Sequence, residues 1–302
     1  MKRHLLGALS IFCLVLTNTG LAGQAQTFTT IDFPSANVSR VWAINSRREI
    51  LGSYTNGKFH PDFTHPDPNH PVHGFLLSDG IFSTADFPGA VNTIPYGINS
   101  AGSVVGFASS TDGKSHGYLL SEDDATLIDF PGATSSSAWG INSAGSIVGL
   151  YFNPDGKGHG FLLRHGGFTS IDVPGATFTW ARGITHDGRI VGIYNFADGK
   201  GHGFLLSEGK FTSIEIPGAI SNNALAINAR GDLVGAYTSV DGKRHGYLLS
   251  RGRLTTIDFP GAIFTVAQGI NARGDIVGRY TSVDGKDHGY LLSTDEDDDD
   301  QK

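Results

Sequence analysis

Short runs of apolar and small residues recur along the chain, each bounded by turn residues. One 43-residue unit contains four such runs, A-x-G-I-N, I-V-G-x-Y, H-G-Y-L-L-S and F-T-x-I-D-F. Runs of this length, rich in β-branched and aromatic residues and separated by Gly, Asn and Asp, are typical of β-strands. Paired leucines in the third run predict a strand that is buried on both faces. The pattern therefore predicts four short strands per unit.

The units repeat with a fixed period. The pentapeptide H-G-[FY]-L-L recurs every 43 residues and begins at His73, His116, His159, His202, His245 and His288. An insert lengthens the first unit before His73. Four strands in about 43 residues is the size of one blade of a β-propeller. Six copies over residues 27–294 predict an all-β, six-bladed β-propeller with four antiparallel strands per blade.

The two ends of the repeat region are complementary. The region begins with a run of the fourth type, Phe28 to Pro34, and ends after a run of the third type, His288 to Ser293. We predict that the N-terminal strand completes the last blade and closes the ring. Closure of this kind would protect a sheet edge that is otherwise prone to aggregation.

Turn sequences set the expected register. S-E-G-K and V-D-G-K predict two-residue turns with Glu-Gly or Asp-Gly at the tip, and N-x-x-G predicts a hairpin with glycine in the left-handed region. The segment P-G-A-x-x-T does not resemble a tight hairpin, so we expect it to connect one blade to the next. These connections and the D-G-K turns are predicted to lie at the same end of the propeller.

The same register places the repeated histidine opposite a carboxylate. If Glu208 and Gly209 form the turn, His202 faces Glu215. The other predicted pairs are His73 with Asp86, His116 with Asp129, His159 with Asp172, His245 with Asp258 and, through ring closure, His288 with Asp32. Directly opposed side chains lie about 5 Å apart, close enough for an imidazole to bond a carboxylate. We expect a structural role for these pairs, and a catalytic or ligand-binding role is the alternative.

Function is sought where the repeat varies. The residue before G-I-N and the residue two positions earlier should lie near the mouth of the central channel, and all three tryptophans fall in these two columns. The candidate ligand-binding residues are Arg40, Trp42, Tyr96, Trp139, Trp180 and Arg182. Aromatic faces beside arginine donors suit a sugar, although the aromatics could instead only pack between blades. In each of blades one to four these two columns contain an aromatic residue or an arginine, whereas in blades five and six they contain neither. This difference favours one asymmetric site.

A histidine-rich insert at residues 56–70 interrupts the first unit. The stretch from Tyr54 to His73 is eleven residues longer than its counterpart from Tyr237 to His245. The candidate metal ligands are His60, His65 and His70, which could bind zinc or copper and leave an open position for hydrolysis. The prolines of the insert favour a stiff surface loop instead. The sequence requires no cofactor apart from this candidate divalent metal.

The N-terminus has the pattern of a secretory signal peptide. Residues 1–26 combine the basic start M-K-R-H, the apolar run L-L-G-A-L-S-I-F-C-L-V-L and a small, polar end. The apolar run is too short for a membrane span, and its removal would also remove Cys13, the only cysteine. We therefore expect a monomeric protein that is secreted to the extracellular space or the periplasm, with no membrane span.

Charge argues against nucleic acid as a partner. The chain has a net charge of −7, and six of its acids form the run D-E-D-D-D-D at residues 295–300. We expect residues 295–302 to be a disordered acidic tail. Without this run and the signal peptide, a net charge of about −3 remains on the repeats, whereas nucleic-acid binding is typical of basic surfaces.

The unit G-I-N-x-x-G-x-I-V-G followed by H-G-[FY] resembles the extracellular repeats of the HAF family. The match is clearest at residues 140–149 and 159–163 and extends over 28–293, with Gly in place of the family's Ala. The resemblance implies export and a repeat fold, and it carries no shared catalytic residues. We expect a binding module for an extracellular polymer, with carbohydrate as first choice. The alternatives are a metal-assisted hydrolase or lyase acting on a polysaccharide, and a purely structural envelope or matrix protein.

Overall fold

The computed structural model describes residues 16–18, 26–57, 70–110, 114–122 and 124–294. Within these ranges every helical or strand element is a β-strand. The described residues accordingly contain no helix that could cross a membrane. The predicted all-β class is confirmed.

The strands fall into groups of four that follow one another along the chain. The N-terminal strands are β1 (Leu16–Asn18) and β2 (Gln26–Ile31). Blade one contains β3 (Val38–Ile44), β4 (Ile50–Thr55), β5 (His73–Ser78) and β6 (Ile81–Thr84). Blade two contains β7 (Asn92–Ile98), β8 (Val104–Ser109), β9 (Ser115–Leu120) and β10 (Ala125–Ile128). Blade three contains β11 (Ser135–Ile141), β12 (Ile147–Phe152), β13 (Gly158–Arg164) and β14 (Gly167–Ile171).

The second half of the chain continues the same order. Blade four contains β15 (Phe178–Ile184), β16 (Ile190–Asn195), β17 (Gly201–Ser207) and β18 (Lys210–Ile214). Blade five contains β19 (Ala219–Ile227), β20 (Leu233–Ser239), β21 (Arg244–Ser250) and β22 (Arg253–Ile257). Blade six contains β23 (Phe264–Ile270), β24 (Ile276–Thr281) and β25 (Asp287–Thr294).

Each of the first four blades is a separate antiparallel sheet of four strands. Blades five and six share a sheet because one parallel bridge joins Arg244 to Phe264. In this sheet β2 pairs antiparallel with β25, with Phe28 opposite Leu292, and β1 pairs with the other edge of β2. The innermost strands β3, β7, β11, β15, β19 and β23 each contact the next, and β23 contacts β3. This arrangement is a six-bladed β-propeller.

The propeller has two different ends. The hairpin face carries the N-x-x-G turns, at residues 45–49 in blade one and at the equivalent positions of the other blades. The connection face, at the opposite end, carries the links between blades and the D-G-K turns. Each innermost strand runs from the connection face to the hairpin face, so its first residues lie at the connection-face mouth of the channel.

The hairpin turns agree with prediction in one type and depart from it in another. Glu208 and Gly209 both have positive φ, at 52° and 76°, which is the two-residue turn predicted. The V-D-G-K turn instead has a three-residue loop, because Ser239 N donates to Lys243 O at 2.9 Å. Gly242, the last residue of this loop, has a φ of 81°. This left-handed conformation is typical of three-residue hairpin loops that begin with a type I turn.

The asparagine of G-I-N links neighbouring blades on the hairpin face. Asn99 Nδ2 donates to Asn142 O at 3.3 Å, and Asn142 Nδ2 donates to Thr185 O at 3.0 Å. Equivalent bonds run from Asn45 to Asn99 O, from Asn228 to Asn271 O and from Asn271 to Asn45 O. Blade four has Thr185 in this column, and there Arg189 Nη2 donates to Ala229 O at 3.0 Å. Hydrogen bonds therefore cross all six blade junctions.

The core lies between the blades. The aromatic residue of H-G-[FY] is almost fully buried in every blade, whereas most of the paired leucines, which predicted burial on both faces, are only partly buried. Stacked rings also cross the blade junctions. Phe130 of blade two stacks on Tyr151 of blade three with ring centroids 3.7 Å apart, and His159 stacks on the other face of Tyr151 at 5.2 Å.

Candidate functional site

Every innermost strand has a β-bulge at the residue before the G-I-N column. In β3 the register shifts between Val41 and Ala43, which leaves Trp42 out of the ladder. The same shift frees Tyr96, Trp139, Arg182, Leu225 and Gln268. A bulge redirects a side chain, and these six side chains all line the central channel.

The bulged side chains close the channel at its centre. Tyr96 and Trp139 stack with ring centroids 3.3 Å apart, and Trp42 meets Tyr96 edge to face at 5.2 Å. The Arg182 guanidinium lies 3.9 Å from the centroid of the Trp139 ring and donates to Gln268 Oε1 at 3.0 Å. Trp42, Tyr96, Trp139 and Arg182 are each less than 9% exposed. The structure thus brings these predicted site residues together, but their ring faces contact one another.

We call these bulged side chains the plug. Between the plug and the hairpin face, the channel is too narrow for a sugar. It encloses about 120 Å³ between the plug and a ring of isoleucines, whereas ligand pockets usually enclose about 300–1,000 Å³. Small residues form its wall because the innermost strands approach closely. A Cβ added to Gly140 would lie 2.7 Å from Arg182 O.

The mouth on the connection face is more open. Trp180 and Arg40 lie two positions before the bulge in their strands, and both are partly exposed. The ring of Trp180 meets Trp139 edge to face at 4.5 Å. Arg40 Nε and Nη2 donate to Asp287 Oδ2 at 2.8 and 2.6 Å, which joins blade one to blade six. One side of the mouth is therefore aromatic, where Trp180 packs against Trp139, and another side is charged, where Arg40 of blade one meets Asp287 of blade six.

Two further arginines at the mouth were not among the predicted site residues. Arg279 Nη1 donates to Asp287 Oδ2 at 3.1 Å. The guanidinium carbons of Arg279 and Arg244 lie 4.7 and 5.5 Å from the centroid of the Phe264 ring. These arginines come from the third strand of blade five and the second strand of blade six, outside the innermost-strand columns from which the site residues were predicted.

A comparison of columns would have found both arginines. The residue before H-G is Val72, Ser115, Gly158 and Gly201 in blades one to four, but Arg244 and Asp287 in blades five and six. The residue between Gly and Tyr of the second strand is uncharged except at Arg279. A charged side chain in an otherwise uncharged column is thus the signal that could have been used.

Burial shapes the electrostatics of the mouth. It lowers the pKa of Arg182 and of Arg279 to about 9 in each case. It also lowers the pKa of Arg40, an effect that Asp287 partly offsets. Burial acts to raise the pKa of Asp287, but Arg40 and Arg279 outweigh it and hold that pKa below its usual value. The mouth is therefore a desolvated cationic surface.

Clefts of ligand size also lie among the described residues. A cleft of about 500 Å³ between blades five and six is lined by Lys243, Arg244, Asp258 and Phe264, among others, and adjoins the mouth through Arg244. A second cleft of about 440 Å³ lies between β2 and blade one, where Asp32, Phe33, Arg48 and Phe82 are among its lining residues. Only the first cleft shares residues with the arginine cluster.

Five of the six predicted histidine pairs form. The Nδ1 to carboxylate distances are 2.9 Å for His73 and Asp86, 2.9 Å for His116 and Asp129, 2.7 Å for His159 and Asp172, 2.9 Å for His245 and Asp258, and 2.8 Å for His288 and Asp32. His202 makes no such bond to Glu215 within the described ranges. Glutamate is longer by one methylene, and Glu215 Oε1 accepts a hydrogen bond from Ser213 Oγ at 2.5 Å instead.

The paired imidazoles also brace the D-G-K turns. His245 Nε2 lies 3.3 Å from Ser239 Oγ, and His288 Nε2 lies 3.2 Å from Ser282 Oγ. The bond to Asp86 raises the pKa of His73, and the bond to Asp32 raises the pKa of His288. Each imidazole thus connects its third strand to the outermost strand and, in these two blades, to the turn.

The predicted metal ligands are only partly within the described residues. His60 and His65 lie outside them. His70 is exposed, and its carbonyl oxygen accepts a bond from Thr55 Oγ1 at 3.2 Å. His73, which follows the insert, bonds Asp86 through Nδ1. No group of three His, Cys, Asp or Glu side chains suited to a metal ion occurs in the described part of the chain, and the metal site stays a prediction.

Comparisons with known proteins support the fold. No protein-family model matches the sequence, and no curated protein is similar to it. Among solved structures, TolB from Acinetobacter baumannii is 13% identical with a TM-score of 0.53, over 76% of this chain and 62% of TolB. The chain thus matches less than two thirds of the length of TolB.

Two lectins have a similar architecture. The SapL1 lectin, solved with α-methyl fucoside, is 10% identical with a TM-score of 0.51, over 86% of this chain and 96% of the lectin. The lectin of Aleuria aurantia, described as a six-bladed β-propeller with a novel fucose recognition mode, is 12% identical with a TM-score of 0.51, over 87% of this chain and 93% of the lectin. At these identities the similarity concerns the fold.

Proposed function

We propose that this protein is a secreted β-propeller that binds an extracellular carbohydrate polymer at the connection-face mouth of its channel. The observation that carries the proposal is the combination of partners at this mouth. Aromatic rings lie beside buried polar atoms that have no partner among the described residues, and a cleft of about 500 Å³ adjoins the mouth. Sugars offer the matching surfaces, because their C–H faces pack on aromatic rings and their hydroxyls both donate and accept hydrogen bonds.

Blade four supplies both kinds of polar atom. Trp180 Nε1 is a buried donor and Asn195 Oδ1 a buried acceptor, and neither has a hydrogen-bond partner among the residues described. Buried polar groups are almost always satisfied in folded proteins. A hydroxyl-rich ligand at the mouth would satisfy both atoms. The shared fold of the two lectins supports the proposal only in general terms.

The candidate residues divide into two roles in this proposal. Trp180 and Arg40, which are partly exposed, would contact the ligand. Trp42, Tyr96, Trp139 and Arg182 would form a rigid floor beneath it, because their side chains are buried in one cluster. Side chains that are already packed lose little conformational entropy when a ligand binds.

We also infer that β2 completes the sixth blade and closes the ring. The support is the pairing of β2 with β25 and the bond between His288 and Asp32, which is the pair that closure predicts. Phe33 of the strand exit also stacks on Tyr54 of blade one, with centroids 3.7 Å apart. Export and membership of the HAF repeats remain proposals that rest on the N-terminal and repeat motifs.

Tryptophan fluorescence tests the proposed function. The purified protein is titrated with α-methyl fucoside, a neutral glucan and polygalacturonic acid. We expect a saturable change with at least one of them, and Trp180→Phe should abolish it because Trp180 is the tryptophan at the mouth. Trp42→Phe is the matched control, since it alters a tryptophan inside the plug and should leave the change in place.

Two outcomes would contradict the proposal. One is the absence of a saturable response to every carbohydrate tested, confirmed by calorimetry so that a silent fluorophore is not mistaken for a lack of binding. The other is binding that Trp180→Phe leaves intact, which would move the site away from the mouth.

A further inference from the structure

Positive charge is concentrated at the mouth, although the protein as a whole is acidic. Arg40, Arg182, Arg244 and Arg279 come from four different strands, and in the described ranges the only carboxylate that contacts any of them is Asp287. Asp287 Oδ2 accepts from Arg40 and from Arg279, and its Oδ1 accepts from Thr281 Oγ1 at 2.7 Å. One carboxylate therefore serves two guanidinium groups.

The other two guanidinium groups have only uncharged partners among the described residues. Arg182 bonds the amide oxygen of Gln268. Arg244 Nη2 lies 2.8 Å from the amide oxygen of Asn223 once that amide is oriented to match its neighbours. Desolvation of a cation is costly unless an anion compensates it. Burial, together with the smaller effects of Arg244 and Arg279, lowers the pKa of Arg182 to about 9.

Unused donors indicate where an anion would bind. Arg279 Nε is buried and has no hydrogen-bond partner among the described residues, and the same is true of Trp180 Nε1. The guanidinium carbon of Arg279 is 4.7 Å from the centroid of the Phe264 ring, and Phe264 and Trp180 pack against the same buried hydrophobic cluster. A guanidinium group matches the geometry of a carboxylate. Among the described residues, Arg279 Nε is thus an unused donor on a side chain that lies beside the Phe264 ring.

Aromatic surface beside these donors favours an organic anion over a free ion. The guanidinium carbons of Arg244 and Arg279 both lie within 5.5 Å of the centroid of the Phe264 ring, and this ring also lines the cleft between blades five and six. Inorganic phosphate would use the donors and leave this surface uncovered. A sugar ring that bears a carboxylate would use both.

We propose that the mouth is specific for acidic sugars, with Arg244 and Arg279 binding the carboxylate of a uronic acid unit and Phe264 packing against its ring. The inference rests on the proposed carbohydrate-binding function and specifies its ligand class. The polymer would enter along the cleft, where Lys243 and Arg244 lie on one side.

Calorimetry with a matched pair of ligands tests this specificity. The unmodified protein is titrated with trigalacturonic acid and with its methyl ester, which keeps the sugar rings and removes the charge. Loss of a charge-assisted hydrogen bond weakens binding by about tenfold or more, so we expect at least that difference between acid and ester. Binding of the acid should also weaken as salt is added.

A substitution locates the effect. Arg244→Gln removes a guanidinium group without disturbing the Asp287 ion pairs, and it should weaken binding of the acid by about tenfold while leaving the ester unchanged. Arg273→Gln, an exposed arginine on the hairpin face, is the control and should bind as the unmodified protein does. The melting temperature of each variant is measured to verify folding.

The outcomes distinguish a failure of the acidic specificity from a failure of the proposed carbohydrate binding. Equal affinity for acid and ester, or binding of the acid that Arg244→Gln does not weaken, would overturn the acidic specificity and leave carbohydrate binding intact. Binding of inorganic phosphate as tight as that of the acid, and equally lost in Arg244→Gln, would replace the sugar by a free anion. If no carbohydrate binds, charged or neutral, both proposals fail.

Discussion

The two ends of the propeller use the same six repeats in different ways. On the hairpin face the G-I-N asparagine recurs in five blades, and each of these asparagines donates to the backbone of the next blade. On the connection face, the residue two positions before the bulge and the residue before H-G differ from blade to blade and include tryptophan, arginine, asparagine and aspartate. A repeat that must hold a ring together stays uniform, whereas a single binding site requires the blades to differ.

The two faces also differ in how they satisfy polar groups. Asn142 on the hairpin face uses both ends of its amide, because Nδ2 donates to Thr185 O and Oδ1 accepts from the backbone of Ala144 and Ser146. At the mouth Trp180 Nε1 and Arg279 Nε remain buried without partners in the described chain. Buried polar groups are usually satisfied, and a ligand at the mouth is our explanation for these two unpaired donors.

The largest expected effect concerns the ring on which both faces depend. Phe28 of β2 is 3% exposed and contacts the rings of Phe259 and Tyr290 at 5.2 and 5.5 Å. Phe28→Ala should lower the free energy of unfolding by about 3–5 kcal/mol, as measured by urea denaturation. Leu127→Ala is the control, since Leu127 on an outermost strand is 46% exposed. Similar costs for the two variants would contradict closure by β2.

The next prediction separates the hairpin face from binding. Asn142→Ala removes three hydrogen bonds of a buried amide and should cost about 2–4 kcal/mol of stability. The affinity for carbohydrate should not change, because this residue lies at the far end of the channel. Ser143→Ala, in the same turn, removes only the exposed hydrogen bond between Ser143 Oγ and His186 Nδ1 and should cost no more than about 0.5 kcal/mol. Loss of affinity in a folded Asn142→Ala protein would show that the two faces are coupled.

A smaller increase in stability is expected when the ring of asparagines on the hairpin face is completed. Thr185→Asn would restore the repeat residue in blade four and could add the missing amide bond to Asn228 O. We expect stabilisation of about 0.5–1.5 kcal/mol, measured as an increase in the urea midpoint at unchanged slope. A decrease would mean that the bonds of Thr185 Oγ1 to Asp187 and Arg189 contribute more than the ring.

The histidine pairs on the connection face predict a modest pH dependence. Because Asp86 and Asp32 raise the pKa of His73 and His288, the folded state binds protons more tightly than the unfolded state. The stability contributed by each pair is fully present below the ordinary pKa of 6.5 and is lost as the pH rises through the higher folded value. The melting temperature should therefore decline across this range. It should decline less in the double variant His73→Gln, His288→Gln, and an equal decline would exclude these residues as the cause.

The smallest effect on stability is expected from the insert of blade one. Deletion of residues 59–70 brings this blade close to the length of the others, so the melting temperature should change little. If His60, His65 and His70 bind zinc, the deletion should abolish zinc binding measured by calorimetry on metal-free protein. Zinc affinity that survives the deletion would place the metal elsewhere. Removal of residues 295–300 serves as the control for nonspecific binding by the acidic tail.

The sequence predicted the regular features because each depends on local chemistry. In blade five Arg251 and Gly252 form the predicted two-residue turn with positive φ at both positions, and that turn fixes the register that brings His245 opposite Asp258. His202 departs from this rule, because its partner column holds a glutamate that reaches a nearer serine. The three-residue loop at V-D-G-K was missed, since Asp-Gly suits both kinds of turn.

The candidate site was predicted only in part, because it combines strands that are remote in sequence. Trp139, Trp180 and Arg182 were identified from the innermost strands, and the structure places them in contact. Arg244 and Arg279 belong to other strands and reach the mouth through the fold. A search limited to one strand per blade could not find them, although each is a charged residue in a column that is uncharged in blades one to four.

The sequence alone determined the period, the strands, the turns and the opposed histidine pairs, because these follow from backbone preferences and side-chain alternation over a few residues. Tertiary structure decided which side chains share the channel, which of them are buried in the plug and where arginine lacks a counterion. These properties depend on bulges that redirect single residues such as Trp42 and on contacts such as that between Arg40 and Asp287, which are 247 residues apart in the chain. Burial and charge balance are sums over neighbours, and only the folded ring specifies those neighbours.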